Sequence, residues 1–129
     1  MIVVDASALV ALGAFEPDGP KFGRAFARST ASLMTPINYV EAGMVLIGKG
    51  IFPGQTEFDQ WLVEIGVEVS VDLDLSAAAL AAYLRYGKGR HPARLNLGDC
   101  FAYALAKALN APLLFKGNDF SQTDVVSAL

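Results

Sequence analysis

Four acidic residues stand where they could do chemistry together. Asp5 follows the apolar run Ile2-Val3-Val4 directly, and Glu41 lies within the first turns of an apolar stretch beginning after Pro36. Asp99 opens the run Leu97-Gly98-Asp99-Cys100-Phe101-Ala102-Tyr103-Ala104-Leu105-Ala106, and Asp119 follows Phe115-Lys116-Gly117-Asn118. Carboxylates gathered into one pocket repel each other and lose hydration, which is unfavourable unless a cation neutralises them. The chain has one cysteine, Cys100, and one histidine, His91, so a Cys/His metal site is excluded. Oxygen ligands alone suit Mg2+ or Mn2+, the ions that activate water and neutralise phosphate charge in phosphodiester hydrolysis. Each acid also has an ordinary reading. Asp5 and Asp99 could cap helices, Glu41 could be a solvated helix residue, and Asp119 could belong to a turn.

The elements decide between these readings. Ile2–Val4 reads as a buried strand, followed by a short helix from Ala6 to Phe15 that Pro17 stops. Lys21–Ser29 has helical spacing, and Leu33–Thr35 reads as a second strand. Ile37–Gly48 carries Val40, Met44 and Ile47 on one stripe. Pro53 suits the first position of a helix running through Phe58, Trp61 and Leu62 to Gly66. Val67–Val71 alternates as a strand, and Ser76 can cap the Ala-rich helix that follows. Asn96 can cap a helix over Leu97–Leu109, and Leu113–Phe115 is a last strand.

Strands alternating with helices predict an α/β fold, a mainly parallel central sheet flanked by helices, in one domain spanning 1–129. Such sheets bind ligands beyond the carboxyl ends of their strands. The four acids then recur at one edge, and their conjunction outweighs the four separate ordinary readings.

Composition narrows the class. The 129 residues are 53% hydrophobic and 18% charged, which supplies a core and excludes a disordered chain. No apolar run approaches the roughly 18–20 residues of a membrane span, and no basic leader precedes the first apolar stretch, so a cytoplasmic protein is expected. Net charge is −3, yet residues 1–84 carry ten acids and four bases while residues 85–129 carry six bases and three acids. Arg85, Lys88, Arg90 and Arg94 cluster around Gly87–Arg94 with His91 among them, a basic loop on an acidic protein.

The ordered set of motifs resembles the PIN-domain nucleases. Asp5-Ala6-Ser7-Ala8-Leu9, Glu41 in its helix, the stretch from Asn96 to Ala106, and Phe115-Lys116-Gly117-Asn118-Asp119-Phe120 all match in order and spacing. Within that family the chain is similar to the VapC-like toxins of type II toxin–antitoxin systems. Tyr86-Gly87-Lys88-Gly89-Arg90-His91 and Thr123-Asp124 resemble one branch of them. The resemblance implies a PIN-like three-layer fold and a Mg2+- or Mn2+-dependent ribonuclease. It implies Asp5, Glu41, Asp99 and Asp119 as the acids, with Asp5 and Asp99 the most direct metal ligands and Ser7 a supporting hydroxyl. It further implies a homodimer and a small VapB-like antitoxin. Asp124 is either a fifth acid or a helix cap, with the cap favoured.

An acidic pocket repels RNA, so cations must attract its backbone. Arg85, Lys88, Arg90, His91 and Arg94 are the candidates, with Lys116 beside the last strand. Tyr83, Tyr86 and Tyr103 could stack bases, although packing is the commoner fate of such side chains. Cys100 reads as a buried thiol. Two other readings compete: a non-catalytic RNA-binding module, and a phospho-acceptor signalling domain. The second lacks an acid beside Asp5, where Ala6 stands, and leaves Asp99 unexplained.

Overall fold

The computed structural model describes residues 1–129. Its strands are β1 (Ile2–Val4), β2 (Ser32–Met34), β3 (Val67–Val69) and β4 (Leu113–Leu114). Its α-helices are α1 (Ala6–Gly13), α2 (Gly19–Arg28), α3 (Pro36–Gly48), α4 (Gln55–Ile65), α5 (Ser76–Tyr86) and α6 (Leu97–Leu109), and Phe120–Gln122 form a 3-10 turn. The four strands make one parallel sheet in the order β3-β2-β1-β4. The α/β expectation therefore holds.

Alternation along β1 divides the core into two layers. Ile2 and Val4 point to one face, where Leu9, Phe22, Phe26, Met34, Leu46, Phe58 and Leu62 come from α1–α4 and β2. Val3 points to the other, where Leu75, Tyr86, Leu95, Tyr103 and Leu105 come from α5, α6 and their flanks. Sheet strands buried on both faces read as continuous apolar runs, as Ile2-Val3-Val4 does. No helix is long and apolar enough to cross a membrane.

The chain walks from β1 outward through β2 to β3, then returns to place β4 on the opposite side of β1. This reversal creates a crevice between the carboxyl ends of β1 and β4, the position where open parallel sheets bind ligands. Asp5 follows β1 and its N–H donates to the Leu114 carbonyl at 2.9 Å.

Several element ends differ from expectation for local reasons. α1 stops at Gly13 because Phe15 turns left-handed (φ 55°) and the Glu16 N–H bonds back to the Ala11 carbonyl at 3.0 Å. Pro53 does not open α4; extended Gly54 caps it and Gln55 is its first residue. Ser76 does not cap α5. Leu75 holds that position, and the Ser76 N–H donates to Asp74 Oδ1 at 3.0 Å. Thr35 lies outside β2 because it caps α3, its Oγ1 accepting from the Asn38 N–H at 3.1 Å.

Candidate active site

Asp5 is 4% exposed, at the junction of β1 and α1. Its Oδ2 accepts hydrogen bonds from the Ser7 N–H at 3.0 Å and the Ser7 hydroxyl at 2.5 Å. The same hydroxyl accepts from the Lys116 N–H at 3.0 Å, tying the loop after β4 to the first acid. Capping and the acidic pocket are thus two uses of one carboxylate. Burial pushes the Asp5 carboxyl above its ordinary range, the two Ser7 hydrogen bonds oppose this, and the charge of Asp119 adds to it.

Asp99 combines both readings in the same way. Asn96 Oδ1 accepts from the Asp99 N–H at 2.9 Å and Asp99 Oδ2 accepts from the Asn96 N–H at 3.0 Å, a reciprocal capping box at the start of α6. Burial pushes its carboxyl up to about 7, with the charges of Asp5, Asp119 and Glu41 adding to the effect. Glu41 is raised chiefly by burial and further by Asp5, against a lowering hydrogen bond from Asn38. Asp5, Glu41 and Asp99 are therefore close enough for their charges to act on one another, and the charge of Asp119 reaches Asp5 and Asp99.

Two residues that position Glu41 escaped the sequence reading. Asn38 is fully buried. Its Nδ2 donates to Glu41 Oε1 at 3.0 Å and to the Gly98 carbonyl at 3.1 Å, while its Oδ1 accepts from the Thr35 hydroxyl at 2.6 Å. Gly98 leaves room for the Glu41 carboxylate: a Cβ there would overlap it and push it from its place. The signal for Asn38 was a polar residue one helical turn before Glu41, on the same face. The signal for Gly98 was a glycine inside a helical run, which has intrinsic cost and so calls for a packing reason.

No group of three or more Asp, Glu, His or Cys side chains stands in an arrangement that could hold a metal ion as it is. The chemistry of the donor set nevertheless fits a hard divalent cation. It consists of oxygen alone, and burial, with like charges adding to it, raises the proton affinity of Asp5, Glu41 and Asp99. One oxygen each of Asp5, Glu41 and Asp99 is held by a hydrogen bond, which orients these carboxylates.

The profile of the PIN domain family matches residues 2–126. The chain belongs to the PIN-domain family, in its VapC group. It is 46% identical over 127 residues to a VapC ribonuclease of Mycobacterium bovis, covering 98% of this chain and 97% of that one. It is 47% identical over 127 residues to ribonuclease VapC of Mycolicibacterium smegmatis, covering 98% of each. Among solved structures, the VapC20 toxin of Mycobacterium tuberculosis superposes with a TM-score of 0.76 at 20% identity, covering 98% of this chain and 97% of that chain. A toxin–antitoxin complex from Klebsiella pneumoniae gives 0.73 at 17% identity, covering 100% of this chain and 98% of that chain. The three-layer architecture is therefore that of VapC PIN domains, and the family assignment replaces the phospho-acceptor reading.

The remaining sequence candidates of this PIN domain fall into three groups. Lys88, Arg90, His91 and Arg94 line an open polar concavity with Gly89 and Pro92. Their loop is built rather than loose. Leu95 N–H bonds to the Tyr86 carbonyl, Lys88 N–H to Leu95, and both Arg90 and His91 N–H groups to Gly87. His91 is committed to this turn: its Nδ1 accepts from the Ala93 N–H at 3.0 Å and its ring meets Tyr86 edge-on at 5.0 Å.

Arg85 and Lys116 stand apart from that concavity. Arg85 stacks on Tyr86 at 4.7 Å and pairs with Asp124 at 3.8 Å. The Lys116 ammonium is held by Glu16 at 3.1 Å and Asp18 at 3.2 Å, so its charge is already partnered. Asp124 is neither a pocket acid nor a helix cap. It accepts from the Tyr103 hydroxyl and from Lys107 Nζ, pinning the chain after Thr123 onto α6. Tyr86 and Tyr103 are buried, and burial pushes the Cys100 thiol up to about 11, which removes it as a nucleophile.

Proposed function

We propose that this VapC-group PIN domain is a Mg2+- or Mn2+-dependent endoribonuclease, the toxin of a toxin–antitoxin pair. The observation that carries the reading is the gathering of the acids at the carboxyl end of β1, where the Asn38 side chain ties Glu41 to the start of α6 beside Asp99 and the Ser7 hydroxyl ties Asp5 to the loop after β4 that carries Asp119. The VapC ribonucleases with 46–47% identity support the same chemistry.

Asp5 and Asp99 would hold the cation, with Glu41 and Asp119 completing the acidic pocket. A bound Mg2+ or Mn2+ supplies charge neutralisation on the phosphate and leaving oxygen and increases the acidity of water. Ser7 fixes the Asp5 carboxylate, and the Asn96 N–H fixes that of Asp99. Asn38 fixes Glu41, whose carboxylate orients a water for in-line attack on phosphorus. Arg85, Lys88, Arg90, His91, Arg94 and Lys116 would contribute phosphate contacts, with Lys116 exchanging Glu16 and Asp18 for RNA. The partners proposed are RNA, a VapB-like antitoxin and a second copy of the chain. The antitoxin is supported by the structure of a toxin–antitoxin complex with the same fold. The homodimer is supported by the apolar side chains Val40 and Met44, exposed along α3.

The test is cleavage of a mixed cellular RNA pool by purified protein in Mg2+, Mn2+ or EDTA, with Asp5→Asn in parallel. Cleavage that needs the metal and is lost in the variant supports the enzyme. Absence of cleavage together with absence of metal binding by calorimetry would replace it with a non-catalytic RNA-binding module.

A further inference from the structure

Thr123-Asp124 belongs neither to the acidic pocket nor to the basic loop. Asp124 accepts hydrogen bonds from the Tyr103 hydroxyl and from Lys107 Nζ at 3.2 Å, and Arg85 pairs with it at 3.8 Å. Tyr103 and Lys107 follow Asp99 by one and two turns of α6, so all three share one stripe of that helix. Tyr103 is buried and its ring meets Tyr86 of α5 edge-on at 5.5 Å, so the hydroxyl that Asp124 takes is fixed in place.

Asp119 depends on its backbone more than the other acids do. Asp5, Glu41 and Asp99 each have an oxygen held by a hydrogen bond, whereas Asp119 is exposed and its carboxylate caps nothing. The turn behind it is stiff. Ser121 Oγ donates to the Asn118 carbonyl at 2.6 Å, and the Thr123 N–H and hydroxyl both donate to the Phe120 carbonyl, at 3.0 and 2.7 Å. Phe120 is buried against Phe115, with ring centroids 5.2 Å apart. The segment is thus fastened on both sides of Asp119, by the Lys116 N–H on Ser7 Oγ before it and by Asp124 on Tyr103 after it.

We propose that Tyr103, acting through Asp124, is a positioning residue for Asp119: their bond clamps the turn behind Asp119 onto the α6 stripe that carries Asp99, and so sets the spacing of the two acids. The proposal rests on the ribonuclease reading and adds to it a residue pair outside the acidic pocket. Because the stretch from Asn118 to Thr123 is internally bonded, a shift at Asp124 moves Asp119 rather than being absorbed between them. The Tyr103 hydroxyl, and after it Lys107 and Arg85, hold the Asp124 carboxyl below its ordinary range. The phenol therefore donates to a carboxylate, and such charge-assisted bonds are stronger than neutral ones.

The test pairs cleavage in Mg2+ of an RNA oligonucleotide, chosen around a cut found in the cellular pool, with amide hydrogen exchange of the full chain in EDTA. Tyr103→Phe removes one oxygen and keeps the ring in its packing. It should lower kcat roughly 10- to 100-fold, the cost of a misplaced catalytic group, with KM within about twofold of wild type. Exchange over residues 117–119 should quicken while that of α5 and α6 stays as it was. Asp124→Ala should match it, and the double variant should lose no more than either alone, since both break one bond. Asp124→Asn keeps an oxygen for the phenol and should retain most of the turnover, which separates this bond from the ion pairs to Lys107 and Arg85. Wild-type turnover in Tyr103→Phe, additive losses in the double variant, or unchanged exchange at 117–119 would each overturn the clamp. A wild-type chain that cleaves no RNA overturns the ribonuclease reading instead, and the exchange then decides the clamp by itself.

Discussion

At the residue scale, the site depends on side chains that serve two purposes. Asp99 is half of a capping box and, with a carboxyl held near 7, a strained member of the acidic cluster. Asp99→Asn keeps an oxygen for the Asn96 N–H but loses the anionic ligand. Cleavage should fall by at least about 100-fold while circular dichroism and melting remain native-like; full activity would remove Asp99 from the site. Gly98→Ala makes the opposite separation. Alanine is intrinsically better in a helix by about 1 kcal/mol, yet its Cβ would displace the Glu41 carboxylate. Stability should stay close to wild type while activity drops on the order of 100-fold, as a misplaced catalytic group costs. Activity assays beside thermal melts check this pair of outcomes. The four acids were legible in the sequence because an acid after an apolar strand, or opening an apolar helix, is conspicuous. Asn38 and Gly98 were not, because their role is a contact between α3 and α6 across 60 residues of chain.

At the element scale, Thr35, Asn38 and Gly98 form the bolt between α3 and α6. Asn38→Ala leaves the Gly98 carbonyl and the Thr35 hydroxyl without this partner in a buried place, a loss of about 1–3 kcal/mol in denaturant melts. It should also lower the turnover rate more than it raises KM, since Glu41 loses its orientation while the phosphate contacts remain. The Gly87–Leu95 loop is a preformed turn, and its Arg90 side chain lies along the end of α5 beside the Leu84 carbonyl and the Tyr83 ring while lining the basic concavity. Arg90→Ala should weaken RNA binding and lower the slope of log affinity against log salt by about 1; an unchanged slope would exclude this phosphate contact. The strands and helices were readable from periodicity, since every expected element exists within a few residues of its place. Their ends were not. Gly54 and Leu75 act at the caps through backbone geometry and Thr35 through its hydroxyl, which no pattern of apolar residues encodes. The basic loop was readable as charge, but its internal hydrogen bonds and the binding of Lys116 by Glu16 and Asp18 depend on tertiary contacts.

At the scale of the whole molecule, the acidic crevice makes stability depend on pH in a direction opposite to that of most carboxylates. Asp5, Glu41 and Asp99 have folded-state values raised above their unfolded ones. Between about pH 4 and 7 the folded chain therefore binds more protons than the unfolded chain, and stability falls as pH rises through that window. Asp124 is lowered instead, so its contribution is lost only as pH drops into the acid range. Thermal melts in EDTA should show a decline from about pH 4 to 7, and Mg2+ should flatten it by neutralising the cluster. A melting temperature that rises with pH in EDTA would contradict the coupling of the acids. A different property follows from how the sheet ends. β4 is an outer strand, but the Leu113 N–H donates to Val126 and its carbonyl accepts from Ala128, so the last residues shield its open hydrogen-bonding side. Unshielded strand borders are templates for self-association. Residues 126–128 thus act as a guard against aggregation, and displacing them should lay the border of β4 bare to a second chain.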